Sequence, residues 1–589
     1  MFKFKQIAGM IAIHALMLLG AATAWAGRGD VDPNYGFLGR LVTEPEESIM
    51  LPDDRLLRLE AGESESEFRV RVFDRTGHDD PAFGDGGYVA IPFPAASTMF
   101  KSSFATLGPN GELLIEGTLW AADQARFFET IFRLDATGKP DLAFGGQGDA
   151  FVRLTETPIE YSPDWKTTVA AFGVDPNGRI VIARHGWTPE DACGGPMMVQ
   201  RLLASGEPDT EFGTDGQVEI SRVNLCLGAA LFGVRSDSSI VVGDGRSIAA
   251  VDPTGAIDIG FGVDGHLSSD TSVWTRGFVL PDGSLLVFAK GNESANAAVD
   301  VLMKFDRNGR ADNTYGSGTG STMVDFGESF TRNPDTYGQV ESLLIAPDAL
   351  HLYASLRILR VGGSIVCRGI AQLSIDGVPD VGFGSHGLTC LDYGSLPFEL
   401  FSVQTDGAPV FTSGSNSLYR LLPDSKPSPG LLTAVPWPWA NESDGRIDVV
   451  VVRVAGRDGA ASADFATLDL SPRFVINNPD LDVARAGADY VATSGQLNWA
   501  SGEDGERAAT VNIVKDHDHE SSEAFMVTFS QDRSSAQLLF GGILVGIRDS
   551  DPESNSDPGS GGGGSVSWAT HLALLTLLLI HRRRIRRAD

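Results

Sequence analysis

The chain has 589 residues, more than one ordinary hydrophobic core can hold, and its 42% hydrophobic content is normal for a folded protein with several domains. Its 77 acidic and 46 basic residues give a formal net charge of -31. Phosphate binding requires clustered lysine and arginine, so this balance excludes a nucleic-acid-binding role for the folded part of the chain. The acidity is consistent with solubility or with association of cations such as calcium.

Residues 1–26 have the three parts of a secretory signal peptide. Lys3 and Lys5 precede an apolar stretch, and Ala24-Trp25-Ala26 forms an A-x-A cleavage site before Gly27. We therefore predict that signal peptidase cleaves between Ala26 and Gly27 and that the remaining chain is exported.

Residues 30–424 contain a tandem repeat. Seven copies of a D-x-x-[FY]-G turn occur 48 to 68 residues apart, beginning at Asp32, Asp80, Asp141, Asp209, Asp258, Asp312 and Asp380. Each copy alternates with a hairpin turn such as Pro109-Asn110-Gly111, followed by a short apolar run that is typical of a buried strand. A period of this length predicts an array of small, four-stranded sheets that bury their faces against one another.

The repeat resembles the bacterial Delta-60 repeat family, in which a short D-x-[TN]-G turn precedes the D-x-x-F-G segment. That turn begins here at Asp74, Asp135, Asp252 and Asp306. The resemblance implies a β-propeller-like array. We interpret the aromatic residue of each copy as a wedge packed between blades. We expect one ring of seven blades, because the first copy lacks its preceding strands and the last unit lacks an eighth motif, so that an N-terminal strand can complete the last blade. A curved β-solenoid is the alternative.

The four cysteines lie within the repeats, in two pairs that each fall inside one repeat interval. Cys193 and Cys226 are 33 residues apart, and Cys367 and Cys390 are 23 residues apart. In an exported protein this arrangement predicts two disulfides, Cys193–Cys226 and Cys367–Cys390, among the three connectivities that four cysteines allow. No C-x-x-C sequence favours a metal site at these residues.

Residues 425–434 have the composition of a linker, and a second β-rich pattern follows over residues 435–551. Strand signals in this second part cover Ile447–Val454, Gly495–Trp499, Ala508–Val514 and Ala524–Phe529. About seven short strands in a segment of this length indicate a β-sandwich. We therefore expect an all-β protein, a seven-bladed propeller followed by a sandwich.

The sandwich pattern resembles the Calx-beta family, a calcium-binding module with an immunoglobulin-like fold. The matching segments include Glu442-Ser443-Asp444-Gly445, Ala463–Thr467, Ala486-Gly487-Ala488-Asp489-Tyr490 and Asp516–Phe525. The resemblance implies calcium ligands at one end of the sandwich, namely Glu442, Asp469, Asp516, Glu520, Glu523, Asp549 and Asp551. Lys515 stands where the family usually has an Asp, and Ser550 interrupts the last acidic group. The alternative is that these acids are solvated loop residues of a sandwich that folds without metal.

Two other chemistries have weaker support in the sequence. His517 and His519 lie among acidic residues, but no third zinc ligand follows at a recognisable spacing. The chain contains no G-x-S-x-G elbow, H-E-x-x-H motif, P-loop or dinucleotide fingerprint. We therefore predict a protein that is not an enzyme, with a secreted hydrolase or lyase acting on a propeller face as the alternative.

The C-terminal segment has three parts. Residues 552–565 are rich in serine and glycine and end in Gly563-Gly564-Ser565, and residues 566–589 contain an apolar run followed by five arginines. The arginines predict a cytoplasmic end by the positive-inside rule. This order resembles the GlyGly-CTERM sorting signal, which implies a transient membrane anchor and cleavage near Gly563, Gly564 and Ser565 by a rhombosortase-like intramembrane protease. A permanent C-terminal transmembrane anchor is the alternative.

These features together predict an exported protein at the cell surface, anchored through its C-terminus at least transiently. We expect it to act as a binding, adhesion or scaffold module for an extracellular protein or glycan. Calcium is the one cofactor that the sequence suggests.

Overall fold

The computed structural model is all-β in the residues that it describes, as the sequence predicts. These are residues 29–549 except 37–39, 43–47, 63–65, 95–96, 122–125, 155–168, 189–190, 222, 224–230, 270–272, 291–299, 325, 327–335, 361–364, 385–386, 393–397, 414–416, 424–427, 436, 471–480, 517–519, 531–535 and 539. The predicted signal peptide and C-terminal segment lie outside them, with Ala26, Gly27, Asp551, Gly563, Gly564 and Ser565. The helical elements described are three single 3-10 turns, Phe144–Gly146, Gly316–Gly318 and Glu442–Asp444.

Seven four-stranded antiparallel sheets occupy the described part of residues 41–420. The N-terminal strand β1 (Leu41–Val42) belongs to the seventh sheet. The first three sheets consist of β2 (Ser48–Met50), β3 (Leu56–Ala61), β4 (Glu67–Phe73) and β5 (Tyr88–Pro92); β6 (Ser97–Leu107), β7 (Leu113–Ala121), β8 (Arg126–Leu134) and β9 (Phe151–Arg153); and β10 (Val169–Val174), β11 (Ile180–Thr188), β12 (Asp191–Leu202) and β13 (Gln217–Ile220).

The other four sheets follow the same order along the chain. They consist of β14 (Leu231–Val234), β15 (Ile240–Gly243), β16 (Ser247–Val251) and β17 (His266–Ser268); β18 (Val273–Val279), β19 (Leu285–Lys290), β20 (Asp300–Phe305) and β21 (Ser321–Val324); β22 (Thr336–Ile345), β23 (His351–Arg360), β24 (Ile365–Ser374) and β25 (Leu388–Asp392); and β26 (Phe398–Val403), β27 (Pro409–Ser413) and β28 (Ser417–Arg420), to which β1 is added.

The sheets are arranged as a closed propeller. First strands of successive sheets lie beside one another, as in the contacts of β6 with β10 and of β14 with β18. The seventh sheet meets the first where the Thr405 N–H donates to Asp54 Oδ1 at 2.7 Å. Strand β1 pairs with β28, Leu41 opposite Leu418, so an N-terminal strand completes the last sheet. The propeller expectation is therefore confirmed, and the open solenoid was the wrong alternative.

The aspartate of the repeated motif has the same two roles around the ring. In all seven copies its Oδ1 accepts a hydrogen bond from the backbone N–H two residues later, which fixes the turn. In four copies the other carboxylate oxygen, Oδ2, forms an ion pair with an arginine or lysine on the third strand of the same sheet. These ion pairs are Arg133–Asp141, Arg201–Asp209, Lys304–Asp312 and Arg420–Asp32. The last of these pairs joins the two ends of the propeller.

The aromatic residue of each copy is buried between neighbouring sheets, as predicted. Exposure is 5% or less for all seven side chains, Tyr35, Phe83, Phe144, Phe212, Phe261, Tyr315 and Phe383. The glycine that follows the aromatic residue lies close to the backbone a few residues later. On Gly213, for example, a Cβ atom would lie 2.1 Å from the Gln217 carbonyl oxygen. The Gly213 N–H also donates to the Thr254 carbonyl in the next repeat at 2.8 Å, so the motif joins neighbouring sheets.

One disulfide is described, between Cys367 on β24 and Cys390 on β25, with Cα atoms 5.9 Å apart. It is one of the two pairings predicted from the sequence, and it joins neighbouring strands of the sixth sheet. The Cys226 residue and the side chain of Cys193 lie outside the described part of the structure, so the Cys193–Cys226 disulfide stays a prediction.

The C-terminal sandwich contains two sheets. In chain order its strands are β29 (Leu431–Ala434), β30 (Trp439–Asn441), β31 (Arg446–Val454), β32 (Ala461–Leu468), β33 (Asp482–Val483), β34 (Ser494–Trp499), β35 (Gly505–Asn512), β36 (Glu523–Ser530), β37 (Gln537–Leu538) and β38 (Gly542–Arg548). One sheet has the order β35-β31-β29-β37, and the other has β30-β38-β36-β32-β34 with β33 beside β36. Val449, Trp499 and Phe525 belong to the core between them.

The linker predicted over residues 425–434 overlaps the first strand of the sandwich at its C-terminal end. Residues 431–434 form β29, whose Leu431 and Leu432 pair with Val454 and Arg453 of β31. Both leucines are fully buried, and this burial explains why the chain joins the sandwich earlier than its Pro- and Ser-rich composition suggests.

Within the described residues, no helix has the length and hydrophobicity needed to cross a membrane.

Candidate metal centre

Glu442 lies in the 3-10 turn at the entry to β31. The turn is fixed by a capping box, in which Asn441 and Asp444 exchange hydrogen bonds, and by Gly445 with φ of 69°. The Glu442 side chain is buried, and its Oε1 accepts a hydrogen bond from the Asp516 N–H at 2.6 Å. This contact joins the start of β31 to the loop that follows β35.

The ends of β36 and β38 bring further carboxylates to the same place. Glu523, the first residue of β36, is paired with Ile547 near the end of β38. The residues just before β36 and just after β38 are therefore neighbours, and the Glu520 N–H donates to Asp549 Oδ2 at 3.1 Å.

Six carboxylates surround a small cavity at this end of the sandwich. Its volume is about 10 Å³, which is room for about one water-sized sphere. The acidic residues that line it are Glu442, Asp489, Asp516, Glu520, Glu523 and Asp549. Calcium takes six to eight oxygen ligands, and carboxylates are its usual protein ligands. The donor set therefore fits a hard divalent cation.

Asp489, Glu520 and Glu523 are the most tightly grouped of these residues. One carboxylate oxygen from each lies within 4.8 Å of the others. Burial first, and then the negative charge of Asp489, raises the pKa of Glu523 to about 8. Close carboxylates favour either a shared proton or a bound cation, and the raised pKa of Glu523 is the response expected in the absence of a cation.

An open cavity of about 360 Å³ adjoins the small one and shares three of its acidic residues, Asp489, Glu520 and Glu523. Asp482 and Arg485 complete the charged part of its lining. The Arg485 N–H donates to Asp489 Oδ2 at 2.6 Å and so orients this carboxylate.

Five of the seven predicted ligands lie together, Glu442, Asp516, Glu520, Glu523 and Asp549. Asp551 is outside the described residues. Asp469 does not line either cavity. Its Oδ1 accepts hydrogen bonds from the Tyr490 hydroxyl and from the Ala486 N–H, and the Tyr490 bond is the main cause that lowers the pKa of Asp469. These contacts give Asp469 a structural role in the loop before Tyr490.

Asp489 is the site residue that the sequence analysis missed. It belongs to the Ala-Gly-Ala-Asp-Tyr segment, which was used to identify the sandwich and not as a source of ligands. The sequence feature that could have indicated this ligand is the position of Asp489, in a Gly-containing loop directly before Tyr490. Tyr490 is buried, and its ring stacks on that of Phe525 with 4.1 Å between centroids. Lys515 is exposed and does not line the cavity, while His517 and His519 lie outside the described residues.

The propeller contains a second group of buried charges, between its second and third sheets. Glu116 on β7 and Glu129 on β8 are fully buried, and Arg184 Nε on β11 lies 3.6 Å from Glu129 Oε2. Burial, and then the charge of Glu129, raises the pKa of Glu116 well above its usual range, while Arg184 opposes this shift. Neither carboxylate has exposed surface, so this group lies inside the propeller, between the two sheets.

Comparison with known proteins gives a family match for the C-terminal part of the chain and several solved structures of low sequence identity. Residues 438–549 match the family model described as the Calx-beta domain. Among solved structures, the apo-form Calx CBD1 domain is 23% identical over 20% of this chain and 97% of its own length, with a TM-score of 0.18. The β-propeller domain of the Trilobed protease from Pyrococcus furiosus is 9% identical over 61% of this chain and 90% of its own, with a TM-score of 0.32.

The polysaccharide lyase Uly1 is 11% identical over 68% of this chain and 98% of its own, with a TM-score of 0.33. Comparison with curated proteins gives no match. Residues 438–549, which follow the propeller, are the part of the chain that matches the Calx-beta family model.

Proposed function

We propose that this protein is an exported, cell-surface binding or scaffold module whose Calx-beta domain binds calcium. The observation that carries the calcium part is the convergence of six carboxylates on one small cavity. Glu442, Asp489, Asp516, Glu520, Glu523 and Asp549 would hold the ion. Bound calcium would supply positive charge that neutralises these acids and so joins the loops from which they project.

Two features of the site support binding of a cation. The Glu442 and Asp549 carboxylates are each oriented by a backbone N–H from another loop, so part of the donor set is organised in advance. The site also contains an excess of negative charge, because among the described residues that line the two cavities seven are acidic and one, Arg485, is cationic.

Calcium is expected to raise the melting temperature of the protein, because a ligand that binds only the folded state stabilises it by mass action. The stabilisation is about 2.7 kcal/mol when free calcium is at 100 times its Kd. Thermal unfolding in calcium and in a chelator measures it. Glu520→Gln should remove most of the difference, whereas Glu506→Gln, an exposed residue at the other end of β35, should leave it unchanged.

Calcium affinity should rise with pH. A protonated carboxyl is a poor ligand, and in the absence of metal Glu523 has a pKa of about 8, so binding at neutral pH displaces a proton. Titrations between about pH 6 and 9 should show affinity increasing toward pH 8 and then levelling. A Glu523→Gln protein should bind weakly and without this dependence.

The metal-free protein should show the opposite trend with pH. Because the folded pKa of Glu523 is raised, its stabilising contribution is complete below the usual value of 4.5 and is lost as the pH rises through about 8. In a chelator, therefore, the melting temperature should fall over this window, and Glu523→Gln should reduce the fall. An equal fall in the wild type and the variant would contradict the assignment of this proton to Glu523.

Lys515 is expected to hold the calcium affinity down through its positive charge next to Asp516. It is exposed, so the effect acts through solvent and should weaken with added salt. Lys515→Asp should strengthen binding, and Lys515→Gln should give an intermediate affinity. Equal calcium affinities for the wild type and both variants would contradict this role.

Export and a cell-surface location belong to the same proposal and rest on the two terminal signals of the sequence. Mass spectrometry of the protein from its native host tests them, with a mature N-terminus at Gly27 and a C-terminus near Gly564 as the expected result. The propeller would then present an unknown protein or glycan with a rigid binding surface. An array screen with the purified mature protein would identify the ligand class.

A secreted enzyme is the second candidate function, and the described part of the structure offers no specific observation in its favour. Strongly raised carboxyl pKa values mark general acids. Within the described part of the propeller the carboxyl with a raised pKa is Glu116, and its complete burial between two sheets keeps it from any substrate.

A further inference from the structure

The N-terminal residues 29–32 lie between the propeller and the sandwich, and we infer that the sandwich locks the closure of the propeller ring. Within the described residues, strand β1, which completes the seventh sheet, has two residues, and the outer strands of the other six sheets have three to five. Each of the other six sheets is formed from one continuous stretch of chain, whereas the seventh depends on pairing between residues that are far apart in the sequence.

On the propeller side, residues 29–32 continue the pairing of β1 along the last strand. The Gly29 N–H donates to the Leu422 carbonyl at 2.9 Å, and the Leu422 N–H donates to the Asp30 carbonyl at 2.6 Å. The Asp32 N–H donates to the Arg420 carbonyl at 2.7 Å. These bonds hold the N-terminal segment to the seventh sheet.

On the sandwich side, Val31, which lies between these bonded residues, forms its backbone hydrogen bonds with residues next to or within the sandwich. The Val31 N–H donates to the Ala455 carbonyl at 2.8 Å, and the Val31 carbonyl accepts a hydrogen bond from the Ser428 hydroxyl. The Val31 side chain is 2% exposed and belongs to one apolar cluster with Leu421 of the propeller and Leu431 of the sandwich. The two domains therefore share one core at the point where the ring closes.

The sandwich presents a rigid surface to this segment. The Arg453 side chain is buried, and its guanidinium donates to the carbonyls of Pro429, Asp458 and Gly459 at 2.9 to 3.1 Å. These carbonyls belong to the connection from the propeller and to the loop after β31, which also contains Ala455. Arg453 thereby fixes both segments that contact Val31.

This lock is at the opposite end of the sandwich from the carboxylates. Strand β31 begins at Arg446, directly after the turn that contains Glu442, and ends at Val454, directly before Ala455. Its nine residues span about 30 Å, so ring closure and metal binding occupy separate ends of one domain. The inference therefore stands independently of calcium.

Hydrogen exchange of the full chain tests the lock. The variant Ser428→Asp places a carboxylate against the Val31 carbonyl, and Ser428→Ala only removes the hydroxyl. In Ser428→Asp the amides of Gly29, Asp32 and Leu422, which bond within the propeller, should exchange at least about tenfold faster, as expected from loss of about 1.4 kcal/mol of local stability. Ser428→Ala should change the same amides in the same direction.

The internal control is the equivalent bond in a continuous sheet, from the Asp141 N–H to the Arg133 carbonyl, whose exchange should not change. Thr510→Ala, on the exposed surface of the sandwich, should leave all of these amides unaffected. If Ser428→Asp does not fold, Ser428→Ala decides alone. Unchanged exchange at Gly29, Asp32 and Leu422 in a folded Ser428 variant would overturn the inference, as would an equal increase at Asp141.

Discussion

Replacing Phe144 by alanine is expected to lower the free energy of unfolding by about 3 to 5 kcal/mol, because it leaves a cavity between two sheets. The Phe144 ring is fully buried, with the Arg133 guanidinium 4.3 Å from its centre. The turn of the next repeat also contacts the ring, since a Cβ atom on Gly206 would come within 2.9 Å of it.

Urea denaturation at equilibrium measures this change, with Leu142→Ala as the matched control. Leu142 lies in the same turn but is 59% exposed, so its loss should change stability by less than about 0.5 kcal/mol. Phe212→Ala should resemble Phe144→Ala, because Arg201 lies over that ring at the same distance of 4.3 Å. A loss below about 1 kcal/mol in both variants would mean that the aromatic residues do not hold the sheets together.

Glu116→Gln is expected to make the protein more stable than the wild type, by an amount that grows with pH. The folded protein keeps a proton on Glu116, because burial and the charge of Glu129 raise its pKa, whereas in the unfolded chain this carboxyl ionises in its usual range. The stabilising contribution is therefore complete at low pH and is lost as the pH rises, at up to about 1.4 kcal/mol per pH unit. Glutamine does not titrate and avoids this loss.

Denaturation of both proteins between about pH 4 and 8 tests this expectation. The stability difference should be near zero at the acid end and should increase toward pH 8. Glu219→Gln, an exposed residue on the outer strand of the third sheet, provides the control and should show no such trend. A difference that is independent of pH would mean that Glu116 carries no extra proton in the folded state.

The sequence was sufficient for much of the propeller because its information is local and repeated. The spacing of Asp141, Phe144 and Gly145 specifies an Asx turn, a buried ring and a close backbone approach within five residues. The strand that completes the seventh sheet could also be anticipated, since both ends of the array were visibly incomplete. The pairing of Glu129 with Arg184 was not predictable, because the two residues belong to different sheets and no motif relates them.

The candidate metal site was also only partly predictable from the sequence. Glu442, Asp516, Glu520, Glu523 and Asp549 were found through resemblance to a known module, and the structure places all five around one cavity. Asp469 was named as a ligand and Asp489 was not, whereas the structure places Asp489 at the cavity and bonds Asp469 to the Tyr490 hydroxyl, because only the fold decides which of these two acids near Tyr490 faces the cavity. The proposed lock at Val31 was not predictable either, because its backbone hydrogen bonds and the contact with Ser428 join residues about 400 positions apart that no motif relates.

Isothermal calorimetry of the full chain with calcium, near pH 8, tests whether the carboxylates at the end of the sandwich bind the ion. We expect saturable uptake at millimolar concentrations or below by the wild type, a tighter site in Lys515→Asp, and loss of at least about tenfold in affinity in Glu520→Gln and Glu523→Gln. Absence of calcium uptake at millimolar concentrations in both the wild type and Lys515→Asp would contradict this expectation, and the sandwich would then be a structural domain that supports the propeller without binding calcium.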